Sequence, residues 1–207
     1  GGQRLPQPPE RNRRTAMLES AWTAVDSSMN DRLVEYQRDH AHGRVAVATV
    51  AWAIAVGGSL EKDTVVLGVP FATSSGQGIA ASVLPVVVRL KDALVVSLVD
   101  QVRDQIREGI IHRNASMSEI ISGLHGEDDH SRAPFDGVLT IDDLRRISSD
   151  GSSVEWIPMP RSAFQCSAVL PTNDGLGTLG ISAEQGFLQG ESASSMLERW
   201  SHLIDQI

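Results

Sequence analysis

The hexapeptide "GLGTLG", Gly175 to Gly180, has the spacing G-x-G-x-x-G, the signature of a turn that cradles the pyrophosphate of NAD or FAD. That chemistry needs a strand ahead of the glycines and a helix opening after them, so that the helix N-terminus faces the phosphates. Here "TNDG" ends at Gly175 as a turn signal between two strand-like runs, and Gly180 leads into "ISAEQGF", which has no helical pattern. The stretch that should carry an acidic residue at a strand end has instead the pattern of a terminal helix. The expectation is a hairpin with glycines inside its second strand, binding neither NAD nor FAD.

Six histidines and one cysteine offer other chemistry. "HGEDDH", His125 to His130, holds two histidines and three acids, but five positions apart in a polar stretch. Metal ligands normally share a helical face or flank a tight turn, so this reads as a solvated loop. His40 and His42 fall at a helix end, where a cationic side chain complements the dipole. His202 lies in the terminal helix with no partner in sight. Cys166 stands in a strand-like run without a basic neighbour, the setting of a buried, inert thiol. There is no G-x-S-x-G elbow for a hydrolase nucleophile. These residues make no complete active site and no metal site.

The elements that would position any site are readable from pattern. The chain of 207 residues is 41% hydrophobic but only 4% aromatic, so its core must be mostly Val, Leu, Ile and Ala. A net charge of −8, with "RNRR" (Arg11 to Arg14) as the longest basic cluster, argues against nucleic acid. The apolar run Val45 to Val56 is twelve residues, too short to span a bilayer. With no opening signal segment and one cysteine, a reducing cytoplasm is the expected location.

Residues 1–14, with Pro6, Pro8 and Pro9, read as an extended linker, and 15–207 as one compact unit. "TAMLESAWTAV" predicts a strand. The next run, "DSSMNDRLVEYQRDHA", predicts a capped helix with Met29, Leu33 and Tyr36 at helical spacing. "GRVAVATVAWAIAVGG" is apolar nearly all round and predicts a buried helix. "TVVLGVPF" and "SVLPVVVRL" predict strands covered on both faces. "ALVVSLVDQVRDQIREGII" puts Leu94, Leu98, Val102, Ile106 and Ile110 on one helical stripe. A short helix is expected at 116–124 and strands at 135–144, 153–157, 163–171 and 176–184. The terminal helix should turn Met196, Trp200, Leu203 and Ile207 inward. The fold class is α/β, an α+β mixed sheet with helices packed on it.

In order, these segments resemble the C-terminal half of the condensation domains of nonribosomal peptide synthetases, which consist of two lobes like chloramphenicol acetyltransferase. "RLPQPPERNR" is similar to the family's inter-lobe lead-in, and "VATVAWAIAVGGSLEKDTVVLGVPF" to its buried helix, turn and D-V-V-x-G-x-P strand. "IAASVLPVVVRL" stands where the family has I-G-x-F-V-N-T-L-P-L-R, "HRNASMSEII" where it has H-x-D-x-P-F-E, and "HSRAPFDGVL" where it has S-R-N-P-L-F. The chain departs from these motifs at several points. Ser82 replaces the asparagine and Val87 the arginine, and of H-x-D-x-P-F-E only His112 remains. The H-H-x-x-x-D-G motif of the family's N-terminal lobe occurs nowhere in these residues.

The resemblance implies a single chloramphenicol acetyltransferase-like lobe and part of an amide-forming acyltransferase. An amine tethered on one carrier protein attacks a thioester tethered on another, in a tunnel between two lobes. By resemblance Ser82, Val83, Leu84 and Pro85 line that tunnel, while His112, Ser131, Arg132 and Pro134 are structural motif residues. Ser82 is open to two readings, as a strand's first polar group or as a hydroxyl that positions the thioester carbonyl or the pantetheine arm. No cofactor would bind this chain directly. The implied partners are the N-terminal lobe and peptidyl or acyl carrier proteins with their phosphopantetheine arms, not nucleic acid or membrane. Two alternatives remain: a degenerate, non-catalytic domain that recruits carrier proteins or tailoring enzymes, and an acyltransferase of the same fold with a free acceptor.

Overall fold

A computed structural model of the chain describes residues 18–75, 78–112, 135–142, 166–171 and 178–207. Strand β1 (Leu18–Ala24) is followed by helices α1 (Ser27–Asp39) and α2 (Gly43–Leu60), then by the strands β2 (Thr64–Ser75) and β3 (Gly78–Arg89). Helix α3 (Val95–Ile111), strands β4 (Gly137–Asp142), β5 (Cys166–Pro171) and β6 (Thr178–Glu184), and helix α4 (Ala193–Gln206) complete the described elements. The strands form one six-stranded mixed sheet in the order β1-β6-β5-β4-β2-β3. Its centre, β2, β4 and β5, is parallel, whereas β1 with β6, β6 with β5, and β2 with β3 pair antiparallel.

Helix α1 starts where the Asp26 carboxylate accepts the Ser28 amide at 2.7 Å, satisfying a donor that the first turn leaves without a partner. Helix α2 is the centre of the helical layer. It packs against α1, α3 and α4 and against β2 and β4, which is why it is apolar nearly all round, with the Thr49 hydroxyl turned back onto the Val45 carbonyl. Ala46, Ala48, Val50, Ala51, Trp52, Ala53, Ala55 and Val56 are all fully buried. Gly57–Leu60 ends it, with Glu61 in the left-handed region (φ 52°) and the Lys62 amide donating back to the Gly57 carbonyl. Trp52 of α2 and Trp200 of α4 meet edge to face at 5.4 Å, and the Trp200 indole N–H donates to the Ala48 carbonyl at 3.2 Å.

The helical stripes differ from expectation at their ends. Leu98, Val102 and Ile106 of α3 are buried, but Leu94 precedes the helix as its cap and is 75% exposed. In α4 Met196 and Trp200 are buried with Leu197 and Ile204, while Ile207 lies past the last turn and is exposed. Ile204 takes the place expected of Ile207 because Trp200 and Ile204, four apart, share the face over the sheet. The expected helix at 116–124, strand at 153–157 and linker at 1–14 lie outside the described residues.

Candidate functional site

Strand alternation divides the sheet into two faces. Val65, Leu67, Leu139, Cys166, Ala168, Leu170, Leu179 and Ile181 join the main core with the helices. The opposite face carries a row of mostly small residues. Register places Ser20, Ser182, Ser167, Val138, Gly68 and Pro85 in one row across all six strands. Ser20 and Ser182 share a hydroxyl hydrogen bond at 2.8 Å, and Ser167 and Ser182 are buried. Over Gly68 lie the Phe135 ring and Val83, so close that a Cβ there would stand 2.8 and 2.9 Å from them. Glycine at 68 is what lets both side chains settle on this face.

The four tunnel residues expected from sequence separate across these faces. Leu84 is buried against α3, where it packs over Gly109. Val86, two residues further along the same strand, belongs to the main core. Val83 and Pro85 point the other way, half-buried, onto the small-residue face. Ser82 sits in β3 opposite Phe71 of β2. Among the four, Val83 and Pro85 are the side chains described on a face free of α3. His112 caps α3, with its amide donating to the Gly109 carbonyl, and its side chain is exposed. Ser131, Arg132 and Pro134 lie outside the described residues, as do His125 and His130.

Other candidates resolve into structure. Gly180 is in β6, which pairs antiparallel with β5, as the hairpin reading expects. It accommodates Trp22 of β1, whose ring would stand 1.8 Å from a Cβ at that position. Burial pushes the Cys166 thiol up to about 12, so it stays protonated and unreactive at neutral pH. His40 caps α1 and stacks on Tyr36 at 4.3 Å, and His42 opens α2 in the left-handed region. No group of three or more histidine, cysteine or carboxylate side chains suits a metal ion among the described residues.

Sequence reasoning missed three positions. Asp136 donates its amide to the Val66 carbonyl at 2.7 Å and accepts the Val66 amide on its carboxylate at 2.9 Å, with Lys62 as ion partner. This clamp sets the parallel register of β4 on β2. Gln105 of α3 accepts the Val87 amide and donates to the Val87 carbonyl, both at 2.9 Å, along the outer edge of β3. Arg199 gathers Ala55, Ser59 and Glu191 at the end of α2. None has a local motif, because each partner is distant in sequence.

A groove of about 550 Å³ also opens beside β1. It runs along α4 past Ser194, Leu197, Glu198, Ser201, His202 and Asp205, and is closed by Trp22, Asp26 and Met29. His202, without a partner in sequence, is thus on its wall.

No protein-family model matches the sequence, and no curated protein matches it. Solved structures do match in fold. The condensation domain from the monacolin K polyketide synthase MokA has a TM-score of 0.71 at 13% identity, over 98% of this chain and 50% of that one. The X-domain from teicoplanin biosynthesis, solved in complex with OxyB, has a TM-score of 0.72 at 16% identity, over 99% and 49%. The four-domain nonribosomal peptide synthetase AB3403 has a TM-score of 0.73 at 12% identity, over 92% and 17%. The chain therefore has the α/β fold of a condensation-domain lobe. It spans about half the length of the isolated condensation domain and X-domain it matches.

Proposed function

We propose that this chain is the C-terminal lobe of a nonribosomal peptide synthetase condensation domain, forming one wall of the tunnel where amide formation occurs. The observation that carries the reading is the overlay of 98% of the chain on half of a two-lobed domain. In that reaction an amine on one carrier's phosphopantetheine arm attacks the thioester carbonyl on another's. The tetrahedral intermediate collapses to amide and thiol, and the amine's proton must be taken up. The chain's own contribution is orientation. Val83 and Pro85 supply an apolar wall on the face away from α3, and the resemblance alone gives the Ser82 hydroxyl a part in orientation.

The test is reconstitution with an N-terminal lobe carrying H-H-x-x-x-D-G and with loaded carrier proteins, following amide product by mass spectrometry. The chain alone should give no product, and the pair should turn over. Product from the chain alone would overturn the assignment of chemistry. In the pair, Ser82→Ala should lower turnover about five- to a hundred-fold, the worth of one hydrogen bond to a reacting group. Unchanged turnover would return Ser82 to a purely structural position.

A second reading is a recruiting domain. It is favoured by the similarity to the X-domain solved with OxyB and by the residues at 82, 87 and 114–118 that depart from the condensation motifs. A reconstituted pair that binds partner proteins but never turns over would favour it.

A further inference from the structure

We propose that the groove between α4 and the β1–α1 corner docks a short cationic segment of a partner protein, with arginine or lysine side chains interleaved with aliphatic ones. The groove is open to solvent along its length and has a volume of about 550 Å³. Its α4 wall, from Ser194 to Asp205, is about 16 Å long at 1.5 Å per residue, which an extended peptide of about five residues spans. The floor is apolar, with the buried Met29 and Leu197 at the bottom, beside the edge of β1. An aliphatic side chain, or the stem of an arginine, can cover such a floor while its charged head stays at the rim.

The rim decides the sign of the occupant. Glu198 and Asp26 are exposed carboxylates, and no ion pair described for the chain takes up either of them. Asp26 keeps its charge, because the Ser28 amide, and more weakly the nearby Arg32, holds its carboxyl below the ordinary range, which leaves one cation on the rim against three acids. Asp205, the third acid, is exposed and paired with Arg32. The chain as a whole carries −8, so its field adds to attraction for a cation and repels an anionic partner. A chain facing a cationic partner here would use a surface at the opposite end of the sheet from Val83 and Pro85.

The probe is an acetylated, amidated peptide RLRVRL titrated into the full chain, followed by the imidazole C–H resonances of its six histidines. His202, exposed on the groove wall, is assigned by His202→Gln. A saturable shift confined to His202 is expected, weakened about three- to tenfold in Glu198→Gln/Asp26→Asn, since each exposed charge contributes modestly. Asparagine caps α1 as well as aspartate does, so the variant keeps its fold. Binding should also weaken as salt rises. The proposal falls if the peptide fails to shift His202 at millimolar concentration, or if ELEVEL binds equally well. It falls if spermidine gives the same response, which would make the effect simple counter-ion binding. It also falls if RLRVRL binds only after Arg11, Arg13 and Arg14 are changed to serine, which would make the chain's own cluster the occupant.

Discussion

The two edges of the sheet end in different ways. At β3 the Gln105 amide copies a neighbouring strand, giving Val87 both an acceptor and a donor at 2.9 Å. At β1 the ending is apolar bulk: Trp22 lies over Gly180 on one face, and α4 packs on the other. An exposed strand edge invites pairing with another chain. A side-chain amide blocks that pairing where it binds and leaves the surface flat. Bulk placed above and below the strand leaves a recess beside it, which is the groove along α4. The difference teaches that a side-chain amide can close an edge at one residue and leave it flat, whereas bulk on both faces leaves a recess beside the strand.

The largest blow to the β1 side should come from Trp200→Ala. Trp200 is fully buried, meets Trp52 and bonds to Ala48, so the loss should be about 3–5 kcal/mol in denaturant melts. Hydrogen exchange should show β1 and β6 losing protection before β3. Gly180→Val comes next. The Trp22 ring has to leave its place over β6, at a cost of about 1–3 kcal/mol, and its fluorescence should shift toward that of a solvated indole.

Gln105→Leu tests the other edge. Val87 loses both partners, for about 1–2 kcal/mol, and light scattering should show self-association that Gly180→Val does not cause. Last is the reactivity of Cys166: the native, buried thiol should resist a disulfide reagent at pH 8 and react only after unfolding. Its pKa rises from 9.0 to about 12 on folding, so above pH 9 the unfolded chain sheds a proton that the folded chain keeps. Its contribution to stability is complete below pH 9 and is lost as pH rises toward 12, with no effect at neutral pH.

Much of the fold was legible because the helices and strands of this chain announce themselves locally. Asp26 reads as a cap, the apolar run around Trp52 as a central helix, and "TVVLGVP" as a covered strand. The hairpin reading of "GLGTLG" held for Gly180 because the residues after it have no helical period. The candidate wall was legible only as a stretch. Val83 to Val86 is nearly continuous in apolar character, and such a run does not say which alternate residues meet α3. Packing of Leu84 on Gly109 decided it.

What the sequence determined by itself is the set of elements and the order in which they resemble a condensation-domain half, since caps, periodicity and turn residues act over a few positions. What only the tertiary structure decided is how distant segments meet. The pairing of β1 with β6, the Asp136 clamp on Val66, the Gln105 closure of Val87 and the groove on α4 join residues that have no local reason to be together. Their stability comes from contacts formed after the chain has closed long loops, and nothing in a short window of sequence records which loops close.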